Sequence, residues 1–435
     1  MTLICHKLPA FGDIPRSYRQ SATFVLSIIF DFLSKLSGNI NIRMKTAAIL
    51  LAAASVLPTA LSWGAAGHEI VATIAQIHLH PSTKSKLCNI LPAEAKCHLA
   101  PIAAWADQIR NRYRGTAPMH YVNAKEDHPG DHCEFGEHGW VNEDVNVVTA
   151  IQNFTRTVME GKAGHDVDVP LRFLVHFVGD IHQPLHLAGR DKGGNGAMFS
   201  FEGHHRNLHS VWDSGIITKN IRELSNYTSP LPSKQIEDAL PGAIFDPYVR
   251  WIVWEGIRQW WRDDLEDWIS CPPSGDPFPH SSHTSIPPST PAIFKDYFRT
   301  ASSLILALLP NSISAYTELA LPVPLRETEG FEDQALALTP QALHSKGVNM
   351  TFPACPYTWA KEIHQINCDV AWPKEYTGRP GEPLIELDTD KYLGKISRDK
   401  TIEKLLAQAG LRLAKILNEA LSEEAHLQPG VYRGY

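Results

Sequence analysis

The 435-residue sequence has no excess of basic charge: 40 lysines and arginines face 47 aspartates and glutamates, for a formal net charge of -7. That excludes the usual footprint of a protein that grips nucleic acid with a lysine- and arginine-rich surface. An anionic substrate would need a local attractor, and bound metal ions supply one. A long hydrophobic run is also missing. The apolar stretch Ala47–Leu57 falls well short of the roughly 20 residues that a transmembrane helix needs. Cysteine is scarce, at 7 residues. Gly193-Gly194-Asn195-Gly196 reads as a turn rather than a phosphate cradle. What the chain does contain is ample core material, being 43% hydrophobic and 9% aromatic, and an unusual 21 histidines.

Met44-Lys45 opens the segment MKTAAILLAAASVLPTALS. A basic residue, an apolar run and the small residues Ala60 and Ser62 form the three-part pattern of a secretory signal peptide cleaved after Ser62. On this reading residues 1–43 are a non-native upstream extension, 44–62 the signal peptide, and 63–435 a secreted domain with no membrane attachment. Setting Cys5 aside leaves Cys88, Cys97, Cys133, Cys271, Cys355 and Cys368. An oxidising compartment favours disulfides over thiolate metal ligands. Six cysteines permit about fifteen pairings, and closeness in sequence favours Cys88–Cys97. Asn153, Asn226 and Asn349 each head an N-glycosylation triplet, in agreement with export.

From Trp63 onward the pattern is mainly α: a single helical domain with one short β-hairpin. Ile70, Ile74 and Ile77 share one helix face. VNVVTAIQNFTRTVME and PLRFLVHFVGDIHQPLH have helical spacing, with Pro170 suited to a first turn. Trp251, Trp254, Trp261 and Trp268 read as a core stripe on one helix, with Asp263, Asp264, Glu266 and Asp267 solvated. The hairpin falls within GNGAMFSFEGHHRNLHSVWD, and TIEKLLAQAGLRLAKILNEAL forms a last amphipathic helix. Residues 272–354 are proline- and serine-rich at the start and lack periodicity later, as expected of a low-order insertion.

Four fragments carry the chemistry. Asp107 lies in AAWADQIR, His120 in APMHYVN, His176, Asp180, His182 and His186 in FLVHFVGDIHQPLH, and His209 and Asp213 in NLHSVWD. His176/Asp180 and His209/Asp213 are i, i+4 pairs, which lie one turn apart on a helix face and can grip one ion together. Imidazole and carboxylate without thiolate is the ligand set of catalytic zinc. His182, two residues after Asp180, points to another face. His186 follows a helix break and can swing back. His128, His132, His138, His204 and His205 read as solvated.

The order Trp-Gly-x-x-Gly-His, Trp-Ala-Asp, His-Tyr-Val, Val-His-Phe-x-Gly-Asp-x-x-Gln-Pro-Leu-His, Gly-Gly-Asn and Asn-Leu-His-x-x-Trp-Asp resembles the single-strand-specific zinc nucleases of fungi and plants, the S1/P1 type. The resemblance is dense from Trp63 to Asp213 and resumes at CPYTWAKEIHQINCDVAWP. It implies a phospholipase C/P1 nuclease-like helical fold with three clustered Zn²⁺ ions. One would be held by Asp107, His120, His176 and Asp180, a second by His186, His209 and Asp213. The third would take the amine and carbonyl oxygen of Trp63 together with His68 and Asp180. It further implies catalytic roles for Arg110 and Asp127, and substrate contacts from Tyr121, Asn123 and Asn195. Cys133–Cys368 matches a disulfide of the family. A local pair expected after Cys133 is missing, and Cys271–Cys355 substitutes for it. The implied activity is secreted, monomeric, zinc-dependent cleavage of single-stranded DNA and RNA to 5'-phosphate products, with hydrolysis of 3'-nucleotides. The alternatives are a zinc phospholipase C and a catalytically inactive zinc-binding secreted protein.

Overall fold

Helix α1 (Ala65–Ile77) buries Ile70, Ile74 and Ile77 completely, as their spacing predicts. In the computed structural model, which describes residues 63–161, 167–228, 233–277 and 352–421, the chain continues through α2 (Trp105–Arg110), α3 (Val147–Glu160) and α4 (Asp168–Asp180). A hairpin of β1 (Met198–Phe201) and β2 (His204–Asn207) follows, then α5 (Ile216–Glu223), α6 (Pro356–Ile366) and α7 (Thr401–Leu421), with shorter helical turns between them. Residues 1–43, the leader 44–62, Asn349 and most of the 272–354 segment lie outside the described residues.

Local chemistry sets the helix starts. Asn146 caps α3 by a capping box: its side chain accepts from Thr149 N at 3.0 Å, and Thr149 Oγ1 accepts from Asn146 N at 3.1 Å. Pro170 sits in the first turn of α4, where no intrahelical donor is needed. One helical turn on from Asp168, Arg172 donates to its two carboxylate oxygens at 2.8 and 3.0 Å, so the buried guanidinium has a bidentate carboxylate partner.

Every residue of α4 is buried, with α1, α2, α3 and α7 packed around it. A helix enclosed on all sides presents its polar residues to the interior rather than to water. The pair α1–α7 approaches closely because Gly410 has no Cβ; one placed there would lie 2.4 Å from Ile74 Cγ2. The hairpin is antiparallel, with Met198 opposite Asn207 and Phe201 opposite His204. Among the described residues, no helix is long and apolar enough to cross a membrane.

The tryptophan-rich segment departs from the single helix expected. It runs as Asp246–Trp251, widens into a π turn over Ile252–Trp260, and resumes as Leu265–Ile269. Trp261 N reaches back to Gly256 O at 3.0 Å, a five-residue step that expands and ends the helix. Trp261 and Trp268 are buried, but Trp251 and Trp254 are only half-buried and Trp260 is exposed. The four acidic side chains that follow are solvated as expected. Cys88–Cys97, Cys133–Cys368 and Cys271–Cys355 form disulfides, with Cα separations of 4.4, 6.1 and 5.7 Å. Of the glycosylation asparagines, Asn226 is exposed and Asn153 is half-buried on α3.

Candidate metal centre

Helix α4 directs His176 and Asp180 to one side, a turn apart. Asp107 arrives on α2, and His120 closes the 3₁₀ stretch Arg114–His120. His120 Nδ1 stands 2.9 Å from Asp180 Oδ2 and 3.6 Å from Asp107 Oδ1. His176 Nε2 stands 3.3 Å from Asp180 Oδ2, 3.6 Å from Asp107 Oδ1 and 3.2 Å from His120 Nδ1. From α1, His68 stacks on His176 with ring centroids 3.8 Å apart and sets Nε2 3.3 Å from Asp180 Oδ1. Gly179 makes room for that ring, since a Cβ there would lie 2.6 Å from His68 Nδ1.

A third group forms where α4 stops. The 3₁₀ turn Pro184–Leu187 swings His186 back beside His209 and Asp213, which come from Leu208–Ser210 and the π turn Val211–Gly215. His209 Nε2 is 3.2 Å from Asp213 Oδ2, and the His186 and His209 rings stack at 5.0 Å. Three buried sets thus each bring their ligand atoms within 4.8 Å: His68/His176/Asp180, Asp107/His120/His176 and His186/His209/Asp213. Asp180 divides its oxygens among them, with Oδ2 on His120 and His176, and Oδ1 on His68 and, at 3.8 Å, His186 Nδ1.

Backbone carbonyls fix the imidazoles. The Nδ1–H of His176 donates to Ala103 O at 2.7 Å, that of His186 to His120 O at 2.6 Å, and that of His209 to Gly193 O at 2.6 Å. A carbonyl can only accept, so Nδ1 carries the proton and Nε2 is left to face the group. Sequence reasoning cannot find these supports, because a carbonyl carries no residue identity. It also missed Gln183, although the residue stands inside the motif. Its amide nitrogen donates to Asp213 Oδ1 at 2.5 Å, and its oxygen accepts from Leu185 N at 2.6 Å.

The electrostatics call for a cation. Burial lowers the pKa of His68 to about 4 and of His209 to about 3, and lowers that of His186, so these rings stay neutral and able to coordinate a metal. Burial opposes charge on His176 too, but Asp180 and Asp107 outweigh it and raise its pKa to about 10. Asp180 is held well below the carboxylate range: burial works the other way, but His176 and His186 prevail. Asp213 is pushed well up, chiefly by burial. His120 Nε2 and His186 Nε2 are buried with no hydrogen-bond partner among the described residues. An imidazole and carboxylate set of this kind fits divalent zinc.

The other expected residues are distributed around the groups. Trp63 is buried, and the adjacent Gly64 N donates to Asp213 O at 2.8 Å. Arg110 Nη1 lies 3.8 Å from Asp107 Oδ1. Tyr121, next to His120, is 37% exposed, uncommon for so large a ring. Asn123 is half-buried and its N–H donates to Asn142 Oδ1 at 3.0 Å. Asn195 is exposed and donates to Lys192 O at 2.9 Å. Asp127 is not brought to the groups: its buried carboxylate accepts from His364 Nε2 and from Glu134 N, each at 3.0 Å, and ties its loop to α6. The nearby Cys133 is consumed by its disulfide, so no metal set forms there. His182 faces away, donating to Val178 O at 2.7 Å and accepting from Arg412 at 2.8 Å.

Known proteins are similar to this chain over the segment that carries the three groups. The model of the S1/P1 Nuclease family matches residues 63–275. Endonuclease 2 of Arabidopsis thaliana is 32% identical over 231 residues, covering 49% of this chain and 70% of that protein. Nuclease S1 of Aspergillus oryzae is 37% identical over 156 residues, and nuclease P1 of Penicillium citrinum 38% over 155. Each of these fungal matches covers 35% of this chain, and the chain spans little more than half of either relative, 54% and 57%. The coverage of the plant relative, together with the family match over the segment that carries all three His/Asp groups, places the chain in the S1/P1 nuclease family.

Proposed function

We propose that the mature chain is a secreted, monomeric, zinc-dependent endonuclease. It hydrolyses phosphodiester bonds of single-stranded DNA and RNA to 5'-phosphate products and also acts on 3'-nucleotides. The observation that carries this reading is the clustering of three buried His/Asp groups, two sharing His176 and the third approaching Asp180 through His186. In the assignment we favour, Asp107, His120, His176 and Asp180 hold one ion, and His186, His209 and Asp213 another. His68 and Asp180 hold the third with Trp63, whose amine becomes free only on cleavage after Ser62. Bound zinc activates water and neutralises charge on the phosphate.

The chain's own residues do the rest. Arg110, beside Asp107, would stabilise charge developing on the phosphate. The exposed ring of Tyr121 offers a stacking face that any unpaired base can use and that a duplex withholds. Asn123 and Asn195 supply hydrogen bonds at the base and the phosphate. The exposed Tyr121 favours a base over the headgroup of a zinc phospholipase C substrate.

The test compares purified protein on single-stranded DNA, duplex DNA and phosphatidylcholine, with and without a chelator. Chelator-sensitive cleavage of the single strand is expected. Chelator-resistant cleavage, or hydrolysis of lipid alone, would sink the reading. The secreted form is expected to begin at Trp63 and to hold three zinc ions by elemental analysis, with fewer in an uncut chain.

A further inference from the structure

We propose that a cleft between β1 and the segment 376–385 is a subsite for a second nucleotide of the bound single strand. This rests on the nuclease reading above. The cavity measures about 260 Å³, near the small end of ligand pockets, which start at about 300 Å³. That suits one base rather than a paired helix. Tyr376, Met198, Pro380, Pro383, Leu384 and Arg379 line it.

Two observations mark it as more than a surface irregularity. Met198 is 45% exposed and Leu384 36%, two of only six large hydrophobic side chains so exposed among the described residues. Both side chains line the same cleft. The cleft is also firmly built. Ser200 N donates to Ile385 O and Leu387 N to Ser200 O, both at 2.9 Å, which straps the far end of the segment to β1. At its near end Tyr376 donates to Asp191 Oδ2 at 3.1 Å. Inside, Thr377 Oγ1 donates to Glu382 Oε2 at 2.5 Å, so the loop itself occupies that carboxylate.

The remaining charge is Arg379, exposed, with no ion pair to its guanidinium among the described residues. A mixed lining, with apolar side chains beside polar groups and one unpaired cation, matches a base and its phosphate. The position matches as well. Gly193 O receives the Nδ1–H of His209, and Gly196 lines the cleft. Three residues span at most about 11 Å, so a strand with one phosphate at His209 reaches the cleft within a nucleotide or two. The side chains of Met198, Leu384, Pro380 and Pro383 can pack on any base, which fits recognition without sequence preference.

The test uses the mature holoenzyme and the double variant Met198→Ser/Arg379→Ala. Both side chains are exposed, so folding is undisturbed, which melting checks. Kinetics are followed on a 3'-nucleotide, which is too short to reach the cleft, and on a single-stranded oligonucleotide. KM for the oligonucleotide is expected to rise about tenfold, with KM for the 3'-nucleotide unmoved. Arg379→Lys should recover part of the loss. Lys395→Ala, which removes an exposed positive charge elsewhere, controls for long-range attraction and should change neither value. A parent enzyme that cleaves the oligonucleotide and a double variant with the same KM would overturn the subsite alone. A parent that hydrolyses neither substrate removes the nuclease reading and the subsite with it.

Discussion

Gln183 holds the Asp213 carboxylate with one end of its amide and the Leu185 N–H with the other. It therefore fixes which oxygen of Asp213 faces His209, and it braces the turn that returns His186. Gln183→Leu fills similar space but leaves a buried acceptor and a buried donor unpaired, at about 1–3 kcal/mol each. Supports of this kind typically matter about 10–100-fold in metal affinity. The variant should lose that much affinity for one of its bound ions, read by competition with a chromophoric chelator, while the others stay tight. Equal affinity for every ion would mean that Asp213 is oriented without help. This residue also marks where reading the sequence stops. His176/Asp180 and His209/Asp213 are legible because four-residue spacing is a helical property. The function of Gln183 depends on Asp213, 30 residues away, and only the folded chain brings them together.

At the scale of elements, helix faces were legible and collisions were not. The isoleucine spacing of α1 and the helical spacing of α3 follow from local rules, so both helices appear where expected. The tryptophan stripe obeys the same spacing, yet the backbone expands at Trp261, because periodicity says nothing about bulky rings competing for one turn. The α1–α7 contact offers a direct test. Gly410→Ala gains up to about 1 kcal/mol of helix propensity. Against that, the new methyl meets Ile74 Cγ2 at 2.4 Å, and overpacking of this kind costs about 1–3 kcal/mol. The clash should win, so the variant melts lower. Adding Ile74→Gly removes both clashing carbons, Cγ2 at 2.4 Å and Cβ at 2.6 Å, and the double variant should lose less than the sum of the two single losses. Strict additivity in urea melts would show that the helices separate freely. Gly179 is the counterpart at the metal centre: Gly179→Ala pushes against the His68 ring and should weaken ion binding there more than it lowers the melting temperature.

For the molecule as a whole, acid and chain length are the informative variables. Burial, foremost, holds the His78 pKa at about 4, against an ordinary 6.5. Above pH 6.5 the ring is neutral whether folded or not. Between 6.5 and about 4 the unfolded chain binds a proton that the native chain refuses, so stability falls as pH falls through that window. Urea midpoints at pH 7 and pH 4.5 should differ less in His78→Gln than in the parent, since metal release is common to both. The composition of residues 272–354 signals an insertion, but its edges are set by contacts that composition does not reveal. Cys271 and Cys355 are joined, with Cα atoms 5.7 Å apart. Asp276 accepts from Tyr357 N, Thr358 N and Thr358 Oγ1 at 2.9, 3.0 and 2.9 Å, and so caps α6 from the other side of the insertion. Both stubs thus belong to the folded body, which anchors the insertion proposed for 272–354 at each end. No member of the three His/Asp groups lies in that range. Replacing 278–351 with a short glycine-serine linker shortens a loop already closed by the disulfide, at little free-energy change. The shortened chain should be secreted, melt within a few degrees of the parent and hold as much zinc. Asp276→Ala in the full-length chain should cost about 1 kcal/mol by uncapping α6. If the shortened chain misfolds while the Asp276 variant of the full-length chain stays sound, the segment supplies contacts that the stubs do not.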